Sequence, residues 1–346
     1  MLSRIFAALL ALLSICATLI YAEEPTKIGA ILPLSGPLAS VGEAVKNGMI
    51  FADEAFDHDN KVQFVFEDDA YLPKNTVTAF RKLVDKDHVK AVFVFGSPPS
   101  LSVAHLAEKA KLPMISVAMT EALTKGKDFV VRYNVTAKSI DREVRTEVKK
   151  RGYQSIAIVS TENDAMLDSR ELFLKESPAK VIYDQTFIPD QRDFRVSAAK
   201  IAELKPSAIF LLLMPPASSS FAKQVRALGY KGDIFGTPPL GVRQELEASD
   251  GALLGAWYIS GNDRLAKGFY ERYNKRHGEF PITEATYGHD IAKLLIEGAH
   301  AGDINSKLHS KDSFDGLLGR YGIDETNSFE VPTAVHLITE KGYILG

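Results

Sequence analysis

The chain has 346 residues, 41 basic and 44 acidic side chains, a formal net charge of −3 and 46% hydrophobic residues. That balance fits a soluble globular protein with a sizeable core and excludes a nucleic-acid footprint, which needs a basic stripe. The single cysteine, Cys16, leaves no disulfide framework and no cysteine-based zinc or iron–sulfur site.

Residues 1–22 carry one charge, Arg4, followed by an apolar stretch from Ile5 to Ile20 and by Tyr21-Ala22 ahead of the acidic Glu23-Glu24. This is the pattern of a secretory signal peptide cut after Ala22. The apolar stretch is short for a membrane span, which takes about 20 apolar residues. Leu13-Ser14-Ile15-Cys16 has the outline of a bacterial lipobox, but Ile15 stands where a small residue belongs, so lipid anchoring is the lesser reading. Without its leader the chain keeps about 324 residues, enough for two domains, with 40 basic against 44 acidic side chains and no cysteine. The chain is expected to be exported.

The first element is an apolar run, Ile28 to Leu32, that reads as a buried strand. The turn residues Pro33, Ser35, Gly36 and Pro37 come next, and then Val41, Val45, Met49 and Ala52 recur at helical spacing. A strand feeding a Gly/Ser loop and a helix aims backbone N–H groups above the sheet edge, a setting suited to a small anionic group. A strand is expected at 62–67, ending in Asp68-Asp69, which reads as a surface loop because no third acid has metal-ligand spacing. Pro73 opens a helix to about Lys86. Strands at 89–95, 113–117 and 129–133 enclose a helix over 100–111.

The alternation then starts again. Helices are expected at 141–151, 164–175, 194–204 and 218–228, with Ser218-Ser219-Ser220 as a cap at the start of the last and Gly229 at its end. Strands are expected at 155–159, 181–187, 208–213 and 234–235. After 253–259 the chain turns helical, at 264–277 and 286–301, and closes with a strand pair about Glu340-Lys341-Gly342. Repeated strand–helix units mean α/β architecture: two doubly wound (Rossmann-like) lobes, with ligands expected outside the carboxyl ends of the strands. Two such edges facing each other make a clamshell that a hinge can close.

The order S-G-P-x-A-x-x-G at Ser35 to Gly42, with Asn47-Gly48 on the helix after it, resembles the opening of mature leucine/isoleucine/valine-binding proteins, the periplasmic solute-capture subunits of ABC transporter importers. The resemblance implies a type I periplasmic binding protein clamshell with crossed connectivity. Lobe 1 would be residues 23–136 plus 263–330, and lobe 2 residues 137–262 plus 331–346. It implies a monomer that binds a small molecule and docks on a membrane permease. A sensing module reporting to a receptor on the same fold is the alternative. No cofactor and no metal is implied.

The resemblance also implies a site. Gly96-Ser97-Pro98 and L-P-M-I-S-V-A-M-T, ending at Thr120, match the family's two carboxylate-holding loops. Carried over, the Ser97 hydroxyl and N–H, the Ala118 backbone and the Thr120 hydroxyl and N–H would grip an anion. The plainer reading has Ser97 and Thr120 capping the next helices. The departures fall on the rest of the amino-acid site. The acid that should hold an α-ammonium aligns with Pro238 or Pro239, an aromatic is missing near Val41, and two expected tyrosines fall on Ala165 and Met214. Either the ligand lacks an ammonium, or another carboxylate has taken over, Asp164 first and then Glu162 or Glu121. An unpaired buried ammonium is too costly for a third option. On the first reading, which is preferred, Met119, Met214 and Val41 make an adaptable apolar pocket. Tyr287, Trp257 and Tyr258 read as packing residues. No nucleotide-binding, serine-hydrolase or zinc-protease motif occurs, and the eight histidines pair with no nucleophile, so an enzyme is not expected.

Overall fold

The computed structural model describes residues 24–278 and 283–345. The expected signal peptide and Cys16 lie outside the described residues. The first sheet is built around β1 (Thr26–Leu32), whose residues Ile28 to Leu32 are all buried. It pairs in parallel with β2 (Val62–Asp68) on one side and β3 (Ala91–Phe95) on the other. Next come β4 (Met114–Val117), β5 (Val130–Asn134) and, returning from far along the chain, a short parallel edge strand at Ser328–Glu330. β3 reads A-V-F-V-F with every residue buried, the unbroken apolar run of a strand covered on both faces. The helices α1 (Ala39–Phe56), α2 (Pro73–Asp85) and α3 (Ser97–Ala110) connect these strands.

The second sheet carries β6 (Ser155–Thr161), β7 (Lys180–Phe187), β8 (Ala208–Leu212), β9 (Asp233–Gly236) and β10 (Trp257–Gly261), all parallel to one another. Its helices are α4 (Ala137–Lys150), α5 (Asp164–Lys175), α6 (Arg195–Leu204), α7 (Ala217–Ala227) and α8 (Arg243–Ala248). Trp257, Phe235 and Phe210 stack ring on ring across β10, β9 and β8 at 4.6 and 4.7 Å, so the packing role expected for Trp257 is what the fold uses. The chain then returns to the first sheet through α9 (Lys267–His277), α10 (Thr283–His300) and α11 (Ile304–Leu308). A hairpin of β11 (Phe314–Gly316) and β12 (Gly319–Tyr321) leads to the edge strand β13 already met at 328–330. The last two strands, β14 (Thr333–Thr339) and β15 (Gly342–Leu345), add to the second sheet antiparallel. The chain thus passes between the sheets three times, and the crossings lie side by side. Val331 N–H donates to Asn134 O at 3.4 Å, and Asn262 N–H to Pro332 O at 2.7 Å.

Several expectations are corrected. α3 begins at Ser97, not Ser100, because Pro98 and Pro99 occupy its first turn, where a missing N–H costs nothing. α4 begins a turn early because Thr136 and Ser139 cap each other reciprocally, each hydroxyl accepting the other's N–H at 2.9 Å. The serine triplet does not cap α7. The buried Glu245 carboxylate does so from α8, accepting the Ser218 and Ser219 N–H groups at 3.0 and 2.7 Å. Asp69 is fully buried rather than on a surface loop, because its carboxylate accepts from Tyr71 N–H and the Thr76 hydroxyl at 2.8 and 2.7 Å. The short elements α8, α11, β11, β12 and β13 carry too few residues for a period to register.

α10 lies backbone to backbone on α1. A methyl group on Gly48 would sit 1.9 Å from the Ala285 carbonyl oxygen, and one on Gly288 would sit 2.0 Å from that of Val45. Below them the fully buried Asp290 accepts hydrogen bonds from the Tyr133 and Tyr321 hydroxyls at 3.1 and 2.7 Å and from Leu317 N–H at 2.8 Å, tying the hairpin to β5. Gly288→Ala is therefore expected to cost about 1–3 kcal/mol by overpacking. Gly268→Ala on α9, where nothing lies within 4 Å of the added carbon, should be neutral or stabilising by up to about 1 kcal/mol. Urea midpoints of the two variants check this; equal shifts would remove the close approach as the cause.

Candidate functional site

The carboxyl ends of both sets of parallel strands face one gap, and a cavity of about 70 Å³ lies in it. The first sheet's side supplies Leu38 and Val41 at the start of α1, Tyr71 after β2, Phe95, Gly96 and Ser97 at the end of β3, Val117 and Met119 at the end of β4, and Asn134 at the end of β5. The second supplies Asn163, Ala165 and Met166 after β6, Met214 after β8, and Pro238, Pro239 and Val242 after β9. Glu284 and Tyr287 reach in from the first turns of α10. A wider cavity of about 910 Å³ adjoins it, sharing Leu38, Tyr71, Asn163 and Met214. This is the strand-end position where open parallel sheets bind ligands.

Of the residues singled out from the sequence, Val41, Ser97, Met119, Ala165, Met214, Pro238 and Pro239 come together on the inner wall. Four do not. Ser35 N–H is turned toward the Asp68 carboxylate at 3.2 Å. Ala118 is packed in the apolar cluster on the far face of the first sheet. Asp164 lines only the wider cavity. Thr120 lies in a separate groove, where it hydrogen-bonds across the gap to Asp168 on α5 and accepts the Ala122 N–H at 3.4 Å. Glu121, one of the substitute acids, pairs with Lys138 at 2.8 Å on that same flank, and Glu162 lines the wider cavity.

The loops after β3 and β4 are held by a set of local bonds. Ser97 caps nothing; its hydroxyl accepts the Met119 N–H at 3.0 Å and locks the two loops together. The buried Arg132 fixes Met119 from behind, donating to its carbonyl at 2.9 Å and to the Ser328 hydroxyl at 3.0 Å. Tyr71 has a left-handed backbone, φ +63, held by the bond from its N–H to Asp69. Its ring lies flat enough on Gly96 that a methyl there would meet it at 2.2 Å. Its hydroxyl accepts the Ser97 N–H, and burial, with Asp69 nearby, raises its titration so that it stays a neutral donor. Ser40 on α1 donates to the Gln244 side chain on α8, so the two sides touch above the cavity.

Four polar lining residues escape a reading of the sequence: Tyr71, Asn134, Asn163 and Glu284. Tyr71 and the asparagines sit at or just past strand ends, in segments whose direction only the fold sets. Glu284 has a readable signal: it stands three residues before Tyr287, on the same face of a helix otherwise buried there. Burial pushes its carboxyl up to about 7, with the Asp263 charge adding to the effect.

Two doubly wound lobes with a small, mostly apolar cavity between their strand ends define a bilobal binding protein. The chain belongs to the periplasmic binding protein family, whose model matches residues 25–336. Leu/Ile/Val-binding protein homolog 7 of Brucella melitensis is 24% identical over 314 residues, covering 80% of this chain and 77% of that one. The leucine binding protein LivK of Thermotoga maritima has a similar structure, with a TM-score of 0.86 at 22% identity over 93% of this chain and 97% of that one. So does an R. palustris ABC transporter solute binding protein in complex with benzoate, with a TM-score of 0.81 at 19% identity over 93% and 95%. These two likenesses carry the fold.

The Glu284 environment makes stability depend on pH. A carboxyl whose titration is higher folded than unfolded contributes stability that is present below its unfolded value of 4.5 and lost as pH rises through about 7. Glu284→Gln lacks this dependence. In ligand-free protein its melting temperature should gain on the natural chain between pH 5 and pH 8; a constant difference would show that Glu284 is solvated.

Proposed function

We propose that this protein is the solute-binding subunit of an ABC importer, exported by a leader cut after Ala22, and that it captures a small ligand made of an apolar body and a carboxylate. The cavity at the carboxyl ends of both sheets carries this reading. Its walls are largely aliphatic, aromatic and methionine side chains, while Ser97, Tyr71 and the asparagines gather polar groups within it. Leucine and benzoate, named with two proteins of this build, share that chemistry and differ in the ammonium. Residues 23–136 plus 263–330 act as one lobe and 137–262 plus 331–346 as the other, turning about the three crossings. Ligand shifts the balance toward the closed form by bridging both lobes, and the closed pair of lobe surfaces docks on a membrane permease. The protein acts as a monomer and not as an enzyme.

In this reading the Tyr71 hydroxyl and the Ser97 N–H, which stand together at the end of β3, both donate to the ligand carboxylate. Calorimetry with leucine, benzoate and a panel of small carboxylic acids tests the ligand class, and Ser97→Ala tests the anion end. The variant should bind the best ligand about tenfold more weakly, the loss of about one charge-assisted hydrogen bond. Full affinity in the variant would place the carboxylate elsewhere, and a panel with no binder would remove the carboxylate ligand.

A further inference from the structure

In the resemblance drawn from the sequence, the acid facing a ligand's ammonium belongs to the second lobe, where this chain has Pro238 and Pro239. In the folded protein a carboxyl faces the same corner from the opposite side. Glu284 and Pro238 line the inner cavity together, and both also line the small pocket next to it, with Val242. The other acids considered as substitutes lie elsewhere. Asp164 and Glu162 line only the wider cavity, and Glu121 is paired with Lys138. Glu284 is the one acidic side chain in the inner lining, and among the described residues no cation is paired with it.

We infer that Glu284 is the specificity-determining acid of this site and that the ligand brings a protonated amine to it, so that the captured solute is an apolar amino acid rather than a simple organic acid. The inference rests on the reading of the cavity as a carboxylate-ligand site. A carboxyl in an apolar cavity with no counter-charge is a poor neighbour for a second anion and a strong one for an ammonium, since both partners lose water together. The groups around it supply no competing cation. Asp263, before α9, accepts the Tyr270 hydroxyl at 3.0 Å and also that of Tyr343. Tyr258, Tyr270, Tyr287 and Tyr343 are held neutral, chiefly by burial. Arg243, on the wall of the adjoining pocket, pairs with Glu247 at 2.8 Å. With Glu284 on α10 and Ser97 on α3, both charged ends of the ligand are held by the first lobe, and the second lobe covers its side chain with Ala165, Met166 and Met214.

The test is a pair of ligands that differ only in the amine: leucine with 4-methylpentanoate, and phenylalanine with 3-phenylpropanoate as a second pair. Each is titrated into the natural protein, Glu284→Gln and Glu284→Asp. The amino acid of the better pair should bind the natural protein at least a hundredfold more tightly than its amine-free counterpart. Glu284→Gln should remove most of that difference, weakening the amino acid and strengthening the amine-free acid, and Glu284→Asp should restore part of it. Because the amine needs the ionised carboxylate, amino-acid affinity should be about tenfold weaker at pH 6 than at pH 8, and the amine-free acid should show no such loss. Tighter binding of the amine-free acid than of its amino acid, or an unaltered amino-acid affinity in Glu284→Gln, would each overturn the inference. If an amine-free acid binds well, the carboxylate reading survives and only the role of Glu284 falls; if neither member of either pair binds, the carboxylate reading falls and takes this inference with it.

Discussion

Everything at the cleft hangs on the approach of two helix backbones. α1 begins with Leu38 and Val41 beside it; α10 begins with Glu284 and Tyr287 and packs against α1. With Gly48 and Gly288 at the crossing, each helix presents bare backbone to a carbonyl of the other. Packed interiors are dense and do not absorb an extra methyl by small adjustments. The approach therefore sets where two sets of cavity residues stand relative to each other, although they are some 240 positions apart in the chain. Asp290, further along α10, extends the same constraint to β5 and to the hairpin through two tyrosine hydroxyls.

The cavity itself uses few charges. The loops around Ser97, Met119 and Tyr71 present neutral polar groups whose positions are fixed by other bonds: Ser97 to Met119, Met119 to Arg132, Tyr71 to Asp69. Such groups are oriented before ligand arrives, so binding loses little to their ordering. The arrangement requires a residue in left-handed backbone, Tyr71, and a buried Arg132 whose charge is answered only at a distance by acids on neighbouring elements. Both are local liabilities that the sheet around them over-determines.

Much of this is legible in the amino acids. A-V-F-V-F and I-G-A-I-L declare strands covered on both faces, and the spacing from Val41 to Ala52 declares a helix. The doubly wound class comes from that alternation. Loops that carry the site also announce themselves, since Ser97 and Met119 stand just past the carboxyl ends of β3 and β4. The hidden part depends on contacts between distant residues. Two adjacent aspartates read as solvent-facing, and nothing nearby says that the second is buried by a threonine seven residues on. Thr120 lies one residue past Met119, yet the backbone turns it into a different groove and toward Asp168. Glu284 escapes notice because the apolar spacing places the start of its helix at Thr286. Pro98-Pro99 misleads in the same way, delaying on paper a helix that prolines in fact open.

The three crossings have one more consequence, for the order in which the chain can fold. The second sheet has its five parallel strands within residues 155–261, a contiguous stretch. The first does not. Its edge strand and the helix that covers α1 come from residues 283–330, so its apolar face stays uncovered until nearly the whole polypeptide is available. Contacts of such long sequence separation form slowly because the intervening loop must first close. The second sheet also waits, since β14 and β15 reach it from residues 333–345. A chain built this way leaves both halves open to chaperones, to proteases and to pairing with another copy of itself until its last residues are made.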